Sequence, residues 1–240
     1  MEETLNQNPI KSKKKKKKEP WQLVLRDRFL KNEKPDNAYL VALLYFVIFF
    51  LSFLLVFVCF FQLCTVKGSS MESTLHNGNN VLLLKTSKYK HGDIVVITKE
   101  DPNDKTKSVN IIKRIIAVEG DELYFDDPYK EENSEIQLYL KKKGEKKFSL
   151  QNESSYIKEP MTKNHFPKGF KFGEENAIKI DKDNYYVMGD NRNVSEDSRV
   201  DNMTYSNKNI YGKSVLVVKE KSVLAFFLKM LYHENNATDA

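Results

Sequence analysis

The chain has 240 residues, of which about 175 follow a basic N-terminal arm and one long apolar segment, enough for a single domain with its own core. The formal charge of +6 does not indicate nucleic-acid binding, because six lysines form one run, Lys13–Lys18, in a segment with little apolar content. The two cysteines, Cys59 and Cys64, both fall within residues 38–64, where an apolar helix is predicted. The domain that follows is therefore expected to have no disulfide and no cysteine-based metal site.

The apolar segment from Tyr39 to Leu63 contains no charged residue. As a helix its roughly 25 residues would reach about 37 Å, more than the roughly 30 Å of a bilayer's hydrocarbon core. We therefore predict a transmembrane helix over residues 38–64. A cleavable signal peptide is the alternative, but this segment is longer than the roughly 7–15 residues of a signal-peptide core and starts far from the N-terminus.

Residues 1–37 are predicted to form a cytoplasmic basic arm, in which residues 21–30 make a short amphipathic segment. Basic residues that precede a first membrane span stay in the cytoplasm, so everything from Lys67 onward is expected on the other side. The predicted location is the cell membrane, crossed once, with the domain that follows the span outside the cytoplasm.

Short β-type segments separated by turn residues follow the apolar segment, and they predict an all-β domain. They are Val81–Leu84, Ile94–Thr98, Val109–Val118, Glu122–Phe125, Ile136–Leu140, Tyr185–Met188 and Val215–Val218. The core is assigned to residues 65–125 and 183–220. Residues 126–182, rich in lysine and glutamate, are predicted to form a small inserted β subdomain. In the C-terminal segment 221–240, residues 222–232 are too short to span a bilayer and are expected to pack as a final helix, with lipid contact as the alternative.

Three polar stretches carry candidate chemistry, and the first is Gly68–Leu75. It begins within about one helical turn of the end of the apolar segment, which places Ser70 where membrane meets water. The third stretch, Gly189–Arg199, follows a predicted strand. It holds two aspartates, two arginines and two serines, which can form a buried ion pair and orient a neighbouring group.

The second stretch is the strand containing Lys113, which shares one strand face with Ile111 and Ile115, while Arg114 lies on the other. If the lysine face is buried, desolvation disfavours the ammonium and lowers the pKa of Lys113, so that a neutral amine becomes available as a general base. The alternative is a lysine at a sheet edge, where its charge discourages aggregation.

In this order, the three stretches resemble the type I signal peptidases, membrane-bound serine/lysine endopeptidases that remove signal peptides from exported proteins. Ser70-Met71-Glu72-Ser73-Thr74-Leu75 resembles the family's Ser-Met-x-Pro-Thr-Leu box. Lys113-Arg114 with Gly120-Asp121 resembles its Lys-Arg and Gly-Asp box. Gly189–Arg199 resembles its Gly-Asp-Asn-Arg-x-x-Ser-x-Asp-Ser-Arg box. The likeness covers residues 38 to 218.

The resemblance implies a mainly β fold, with one N-terminal transmembrane helix followed by an all-β catalytic domain that carries a small inserted β subdomain. It implies Ser70 as the nucleophile, Lys113 as the general base and Ser195 as the hydroxyl that holds the lysine amine. Asp197 and Arg199 correspond to an ion pair that supports the site. No cofactor or metal is expected, and the four histidines are expected to be surface or turn residues.

The departures from the family pattern lie in loops. Ser73 and Glu119 stand where the family has proline, and Ala117 where it often has glycine. Gly68 replaces a serine or threonine whose hydroxyl joins the oxyanion hole in some members. The oxyanion is therefore expected to be bound mainly by the Ser70 backbone amide.

The function implied is removal of N-terminal signal peptides from preproteins after small residues of Ala-x-Ala type. The expected partners are such preproteins and membrane lipid, with no nucleic acid, and the enzyme is expected to be a bacterial monomer. An inactive membrane-tethered β domain with a binding or scaffolding role is the alternative. A penicillin-interacting enzyme is a weaker rival, because its Ser-x-x-Lys signature, at Ser87–Lys90 and Ser155–Lys158, arises by chance in so lysine-rich a chain.

Overall fold

The computed structural model describes residues 37–101, 104–131, 133–201, 203–232 and 235–237. The chain divides into two units, residues 1–53 and residues 54–240. The predicted basic arm lies outside the described residues, apart from Asn37.

Helix α1 spans Ala38–Phe60, and none of its residues is buried. By length and composition it is the one helix in the described part of the chain that could cross a membrane. It is shorter than the predicted 38–64, because residues 61–66 pair as a β-strand. Cys59 is accordingly an exposed helical residue, whereas Cys64 is buried in that strand and not, as predicted, in the helix.

Two sheets hold the strands of the described residues. The strands are β1 (Phe61–Val66), β2 (Asn80–Leu84), β3 (Ile94–Asp101), β4 (Asp104–Ala117), β5 (Glu122–Asp126), β6 (Gln137–Lys141), β7 (Ser149–Leu150), β8 (Ile178–Lys179), β9 (Asn184–Met188), β10 (Tyr205–Ser206), β11 (Ile210–Val218) and β12 (Asn235–Ala237). The large sheet has the order β10-β9-β4-β3-β11-β2-β1-β12, and the small sheet β7-β6-β5-β8. The predicted mainly β fold behind an N-terminal apolar helix is confirmed.

Strand β4 lies inside the large sheet, antiparallel to both β3 and β9. Its alternating residues Ile111 and Ile115 pack with one buried cluster, and Ile112 packs with another. A strand with apolar neighbours on both faces is enclosed on both faces. Lys113 lies between Ile111 and Ile115 and is therefore not at a sheet edge.

The small sheet begins at β5, so Glu122–Asp126 belongs to it and not to the core to which those residues were assigned. The reason is their pairing with β6 and β8, both of which lie within the predicted insertion. The core of the small sheet is apolar and aromatic, and it includes Phe125, Leu138 and Phe166.

Two further α-helices follow strand β9. Helix α2 is short, Ser198–Asp201, and helix α3 spans Val223–Leu231. The Ser222 side chain accepts a hydrogen bond from the Ala225 amide and caps α3. The final helix predicted for residues 222–232 is thus present. Short 3-10 helices occur at Lys163–His165, Glu174–Asn176 and Asn207–Asn209.

Candidate active site

Ser70 and Lys113 meet in the structure, although 43 positions separate them. Lys113 Nζ donates a hydrogen bond to Ser70 Oγ at 2.8 Å. Ser70 is 1% exposed and Lys113 is 0% exposed. A lysine amine and a serine hydroxyl therefore lie within proton-transfer distance, out of contact with bulk water.

The turn that carries Ser70 follows β1 and is fixed to the core at two points. Met71 and Leu75 are buried in one cluster with Val81 and Ile112. The Leu75 amide donates to the Met71 carbonyl at 2.9 Å, which closes the turn. Apolar anchoring on both sides of a short turn restricts where the Ser70 side chain can point.

Ser73 in this turn has a φ of 88°. Proline is locked near −65°, so the proline of the family pattern cannot occupy this backbone conformation. The backbone of the turn at Ser73 therefore follows a different path from the one that proline would require.

The loop after β9 holds the backbone of the Ser70 turn. The Asn191 amide donates to the Ser70 carbonyl at 2.9 Å, and Asn191 Nδ2 donates to the Ser69 carbonyl at 3.1 Å. A Cβ on Gly189 would lie 2.3 Å from Ser195 Oγ and 2.5 Å from the Ser70 carbonyl oxygen. Only glycine fits such an approach, so Gly189 allows the loop and the turn to touch.

Asp197 and Arg199 form the predicted ion pair, with both side chains fully buried. Arg199 Nε and Nη2 donate to the two carboxylate oxygens at 2.9 and 2.8 Å, and the Gly189 amide donates to the same carboxylate at 2.9 Å. Burial alone would raise the pKa of Asp197, but the Arg199 charge and these hydrogen bonds outweigh it and hold the pKa below its ordinary value. Asp197 is therefore an anion beside the site.

Ser195 is 1% exposed, and its hydroxyl has no hydrogen-bond partner among the described residues. The hydrogen bond that was predicted to hold the Lys113 amine is therefore not formed, and the amine donates to Ser70 Oγ instead. The Ser195 side chain nevertheless lies in the same cluster, against Gly189.

Arg114, the neighbour of Lys113 in the strand, makes a second ion pair, in which the Asp190 side chain is fully buried and the arginine is partly exposed. Its Nε and Nη2 donate to the Asp190 carboxylate at 2.8 and 2.6 Å, and Nη1 donates to the Gly92 carbonyl at 2.9 Å. Thr74 Oγ1 also donates to Asp190. Because Thr74 follows the nucleophile turn and Asp190 opens the loop after β9, this network ties three separate segments together.

Residues of the predicted insertion reach this network. The two terminal nitrogens of Arg192 donate to the Glu153 carboxylate, with the arginine side chain 0% and the glutamate side chain 8% exposed. Arg192 Nε also donates to the Gly189 carbonyl at 3.1 Å. A carboxylate from the insertion thus pairs with the loop that supports Ser70.

Tyr156 lies next to Glu153 and donates its hydroxyl to that carboxylate. The Arg114 guanidinium lies over the Tyr156 ring, 4.2 Å from its centroid. Burial and the Glu153 charge raise the pKa of Tyr156, so its hydroxyl stays protonated and can keep donating. Glu153 and Tyr156 were not predicted as site residues, because residues 152–156 resemble the other polar parts of the insertion in sequence.

The histidines described by the structure lie away from the Ser70–Lys113 contact. His76 pairs with Glu72 and is exposed, whereas His91 Nε2 lies 2.6 Å from Asp121 Oδ2. His165 lies in a 3-10 helix, and His233 is outside the described residues. Within the described part, no three or more His, Cys, Asp or Glu side chains form a group that could hold a metal.

Comparison with known proteins identifies the family. Residues 38–219 match the model of the family described as signal peptidase, peptidase S26. Signal peptidase I P of Bacillus subtilis subsp. natto is 33% identical over 161 residues, 65% of this chain and 76% of the relative. Signal peptidase I T of Bacillus subtilis (strain 168) is 32% identical over 173 residues, 70% of this chain and 78% of the relative.

These matches confirm the likeness proposed from the three polar stretches. The family model covers α1 and strands β1–β11, and the matches place the chain among serine endopeptidases. The chain belongs to the signal peptidase family, peptidase S26.

Proposed function

We propose that this chain is a membrane-anchored endopeptidase that removes signal peptides from exported preproteins with Ser70 as nucleophile and Lys113 as general base. The observation that carries the proposal is the buried 2.8 Å contact between Lys113 Nζ and Ser70 Oγ. A serine hydroxyl is a weak nucleophile until a positioned base accepts its proton, and a neutral lysine can take the place of histidine.

Two influences act in opposite directions on the protonation of Lys113. Complete burial disfavours its ammonium form. Asp197 lies near enough to interact with the Lys113 charge, which favours that form. However, the Asp197 carboxylate is already paired through two hydrogen bonds with Arg199, whose positive charge offsets its field at the lysine. The proposed mechanism requires a neutral Lys113 amine, and the complete burial of that side chain is the influence that favours it.

In the proposed first step, Ser70 Oγ attacks the scissile carbonyl carbon while its proton moves to Lys113 Nζ. The Ser70 backbone amide stabilises the negative carbonyl oxygen. The Lys113 ammonium then gives its proton to the departing amine, the new N-terminus of the mature protein, and the signal peptide remains esterified to Ser70. Lys113 next takes a proton from the water that attacks the ester carbonyl carbon. It returns this proton to Ser70 Oγ as the ester bond breaks, which releases the signal peptide and restores the free Ser70 hydroxyl and the neutral amine.

Ser195 is proposed to orient the lysine during these steps. Its buried hydroxyl makes no hydrogen bond among the described residues. It can therefore accept one from the Lys113 amine once the Ser70 proton has been transferred. The ion pair of Asp197 with Arg199 would keep this loop in place.

Family membership supports the proposed substrate, and the basic run Lys13–Lys18 before α1 supports the proposed orientation. An extended peptide with small side chains one and three residues before the cut, the Ala-x-Ala type, is the proposed substrate. We propose that α1 spans the membrane with the N-terminus in the cytoplasm, that the β domain lies outside it, and that the enzyme is monomeric. Residues 1–37 would form the cytoplasmic arm. Residues 126–182 would form the small inserted β subdomain together with β5.

The first experiment is cleavage of a purified precursor bearing Ala-x-Ala by the full chain in detergent and lipid. The wild type is expected to cut after the second alanine, and Ser70→Ala is expected not to cut. A precursor with phenylalanine just before the cut should remain intact. Absence of cleavage by a folded wild-type protein would favour the inactive tethered domain. Protease added to spheroplasts tests orientation: it should digest the β domain and spare the arm.

A further inference from the structure

Helix α3 exposes most of its apolar side chains. Only Ala225 and Leu228 of its residues are buried, together with Tyr232 just after it. Six large apolar side chains are 41–75% exposed: Val223, Leu224, Phe226, Phe227, Met230 and Leu231. A contiguous exposed apolar surface of this kind marks a site that is covered by something else.

The buried face of α3 packs near the end of α1. Ala225, Leu228 and Tyr232 share a cluster with Leu63, Leu82 and Val218, and Phe57 and Phe61 pack against it. The Phe57 and Tyr232 rings lie 6.3 Å apart between centroids. On the same last turns of α1, Leu55, Val56 and Phe60 are exposed by more than half. The apolar face of α3 therefore lies beside the apolar end of the proposed membrane span.

Length and charge indicate the kind of partner. With nine residues, α3 is too short to cross a bilayer. Exposed Lys219, Glu220 and Lys221 precede its capping residue Ser222, and Lys229 lies in its last turn, so lysines outnumber acidic residues at this site. A short helix with aromatic and aliphatic residues on one face and lysines at its ends is suited to lie in the membrane plane, with the lysines at anionic headgroups.

We propose that α3 lies in the bilayer interface on the side of the β domain, with Phe226, Phe227 and Met230 among the acyl chains. This inference rests on the proposed anchoring by α1. A single span leaves the domain that it carries free to tilt and swivel over the membrane. A second contact at the C-terminal end of the β domain restricts that movement and keeps the Ser70 turn near the membrane surface, where a preprotein emerges.

Fluorescence quenching on the full chain in lipid vesicles tests the proposal. Single cysteines at Phe226, Phe227 and Met230 would be introduced with Cys59→Ser and labelled with an environment-sensitive dye, since Cys64 is buried. Two control labels give the quenching expected inside the membrane and in water. Native Cys59, exposed on α1, reports on the span, and Lys146→Cys, in the exposed turn of the small sheet, reports on water. Quenchers are lipids carrying nitroxides at shallow or deep acyl positions, and aqueous iodide.

The α3 labels are expected to be quenched several-fold more by the shallow nitroxide than the Lys146→Cys label, and several-fold less by iodide. Labels reached by iodide as readily as the Lys146→Cys label would overturn the proposal, because the face would then be in water. Labels shielded from both quenchers would also overturn it, because protein would then cover the face. The Cys59 label separates the two claims: if the nitroxides do not quench it, the anchoring itself fails.

Discussion

The large sheet and the small sheet differ in what they bury. Near Ser70 the large sheet and its loops bury charged side chains in pairs, of which Asp197 with Arg199 is the most enclosed. The small sheet is filled by apolar and aromatic groups, with the Phe125 ring 5.0 Å from Phe166. Ion pairs fix the direction of side chains, and aromatic packing supplies apolar burial. The difference suggests that the large sheet positions chemical groups, while the small sheet serves as a rigid support.

Glu153 connects the small sheet to the charged groups near Ser70. It belongs to the segment that follows β7 of the small sheet, yet its carboxylate pairs with Arg192 in the loop that supports Ser70. This buried ion pair therefore links the two regions, together with the hydrogen bonds that Asn193 of the same loop makes with Thr162 and Pro160. Substitutions at four positions test this division of roles, in order of decreasing expected effect.

Lys113→Arg should reduce cleavage by about 10²–10⁴-fold, because a guanidinium stays protonated and cannot act as a base. Lys113→Met should be as inactive, since it fills a similar volume without an amine. In the wild type, kcat should rise as the pH is raised from mildly acid to mildly alkaline, because more of the amine becomes neutral. Cleavage of an Ala-x-Ala precursor and circular dichroism are the measurements. Near wild-type cleavage by Lys113→Arg would show that Lys113 is not the base.

Asp197→Asn should destabilise the protein by about 3–5 kcal/mol at pH 7, because it leaves the buried Arg199 charge without its partner. The pKa of Asp197 is held below its ordinary value, so this stability is present above about pH 4 and is lost as the pH falls through the folded-state value. The difference in Tm between wild type and variant should therefore shrink toward pH 3. Exposed Asp181→Asn is the control, and a pH-independent difference would contradict the assignment.

Glu153→Gln tests the link between the sheets. The amide keeps the shape but removes the charge that pairs with Arg192, for an expected loss of about 2–3 kcal/mol of stability. Because the Arg192 side chain also bonds the Gly189 carbonyl, kcat should fall while KM changes little. Exposed Glu159→Gln, in the same segment, is the matched control. An unchanged kcat in a destabilised Glu153→Gln variant would make the pair purely structural.

Local sequence patterns predicted the site stretches and seven of the strands. They did not predict β1, β7, β8, β10 and β12, nor the contacts between distant segments. The hairpin of β3 and β4 is an example. Alternating apolar residues indicated its inner part, whereas its outer part, with Glu100 opposite Ser108, is polar and carries no hydrophobic signal. The helix α1 was predicted to end later than it does, because residues 61–63 carry no charge, like the helix, but pair with β2.

The site residues were also predicted only where a local sequence pattern marks them. Ser70, Lys113 and the pair of Asp197 with Arg199 were predicted because each lies in a recognisable local motif. Glu153 could not be predicted, since its partner lies 39 positions away and its own surroundings resemble the rest of a lysine- and glutamate-rich segment. A motif records which residues a reaction needs, while the supporting contacts depend on how the insertion folds back.

The smallest effect is expected inside the small sheet. The Tyr124 and Tyr139 rings stack across β5 and β6 with centroids 4.8 Å apart and planes 1° apart. Tyr124→Leu keeps apolar bulk but removes this stacking and the edge contact with Phe148, for an expected loss of about 0.5–1.5 kcal/mol. This change leaves the Glu153 pair intact, so kcat and KM should both stay at wild-type values while Tm falls slightly. If Tyr124→Leu lowered kcat as much as Glu153→Gln does, the small sheet would act on the site as a whole and not through Glu153 alone.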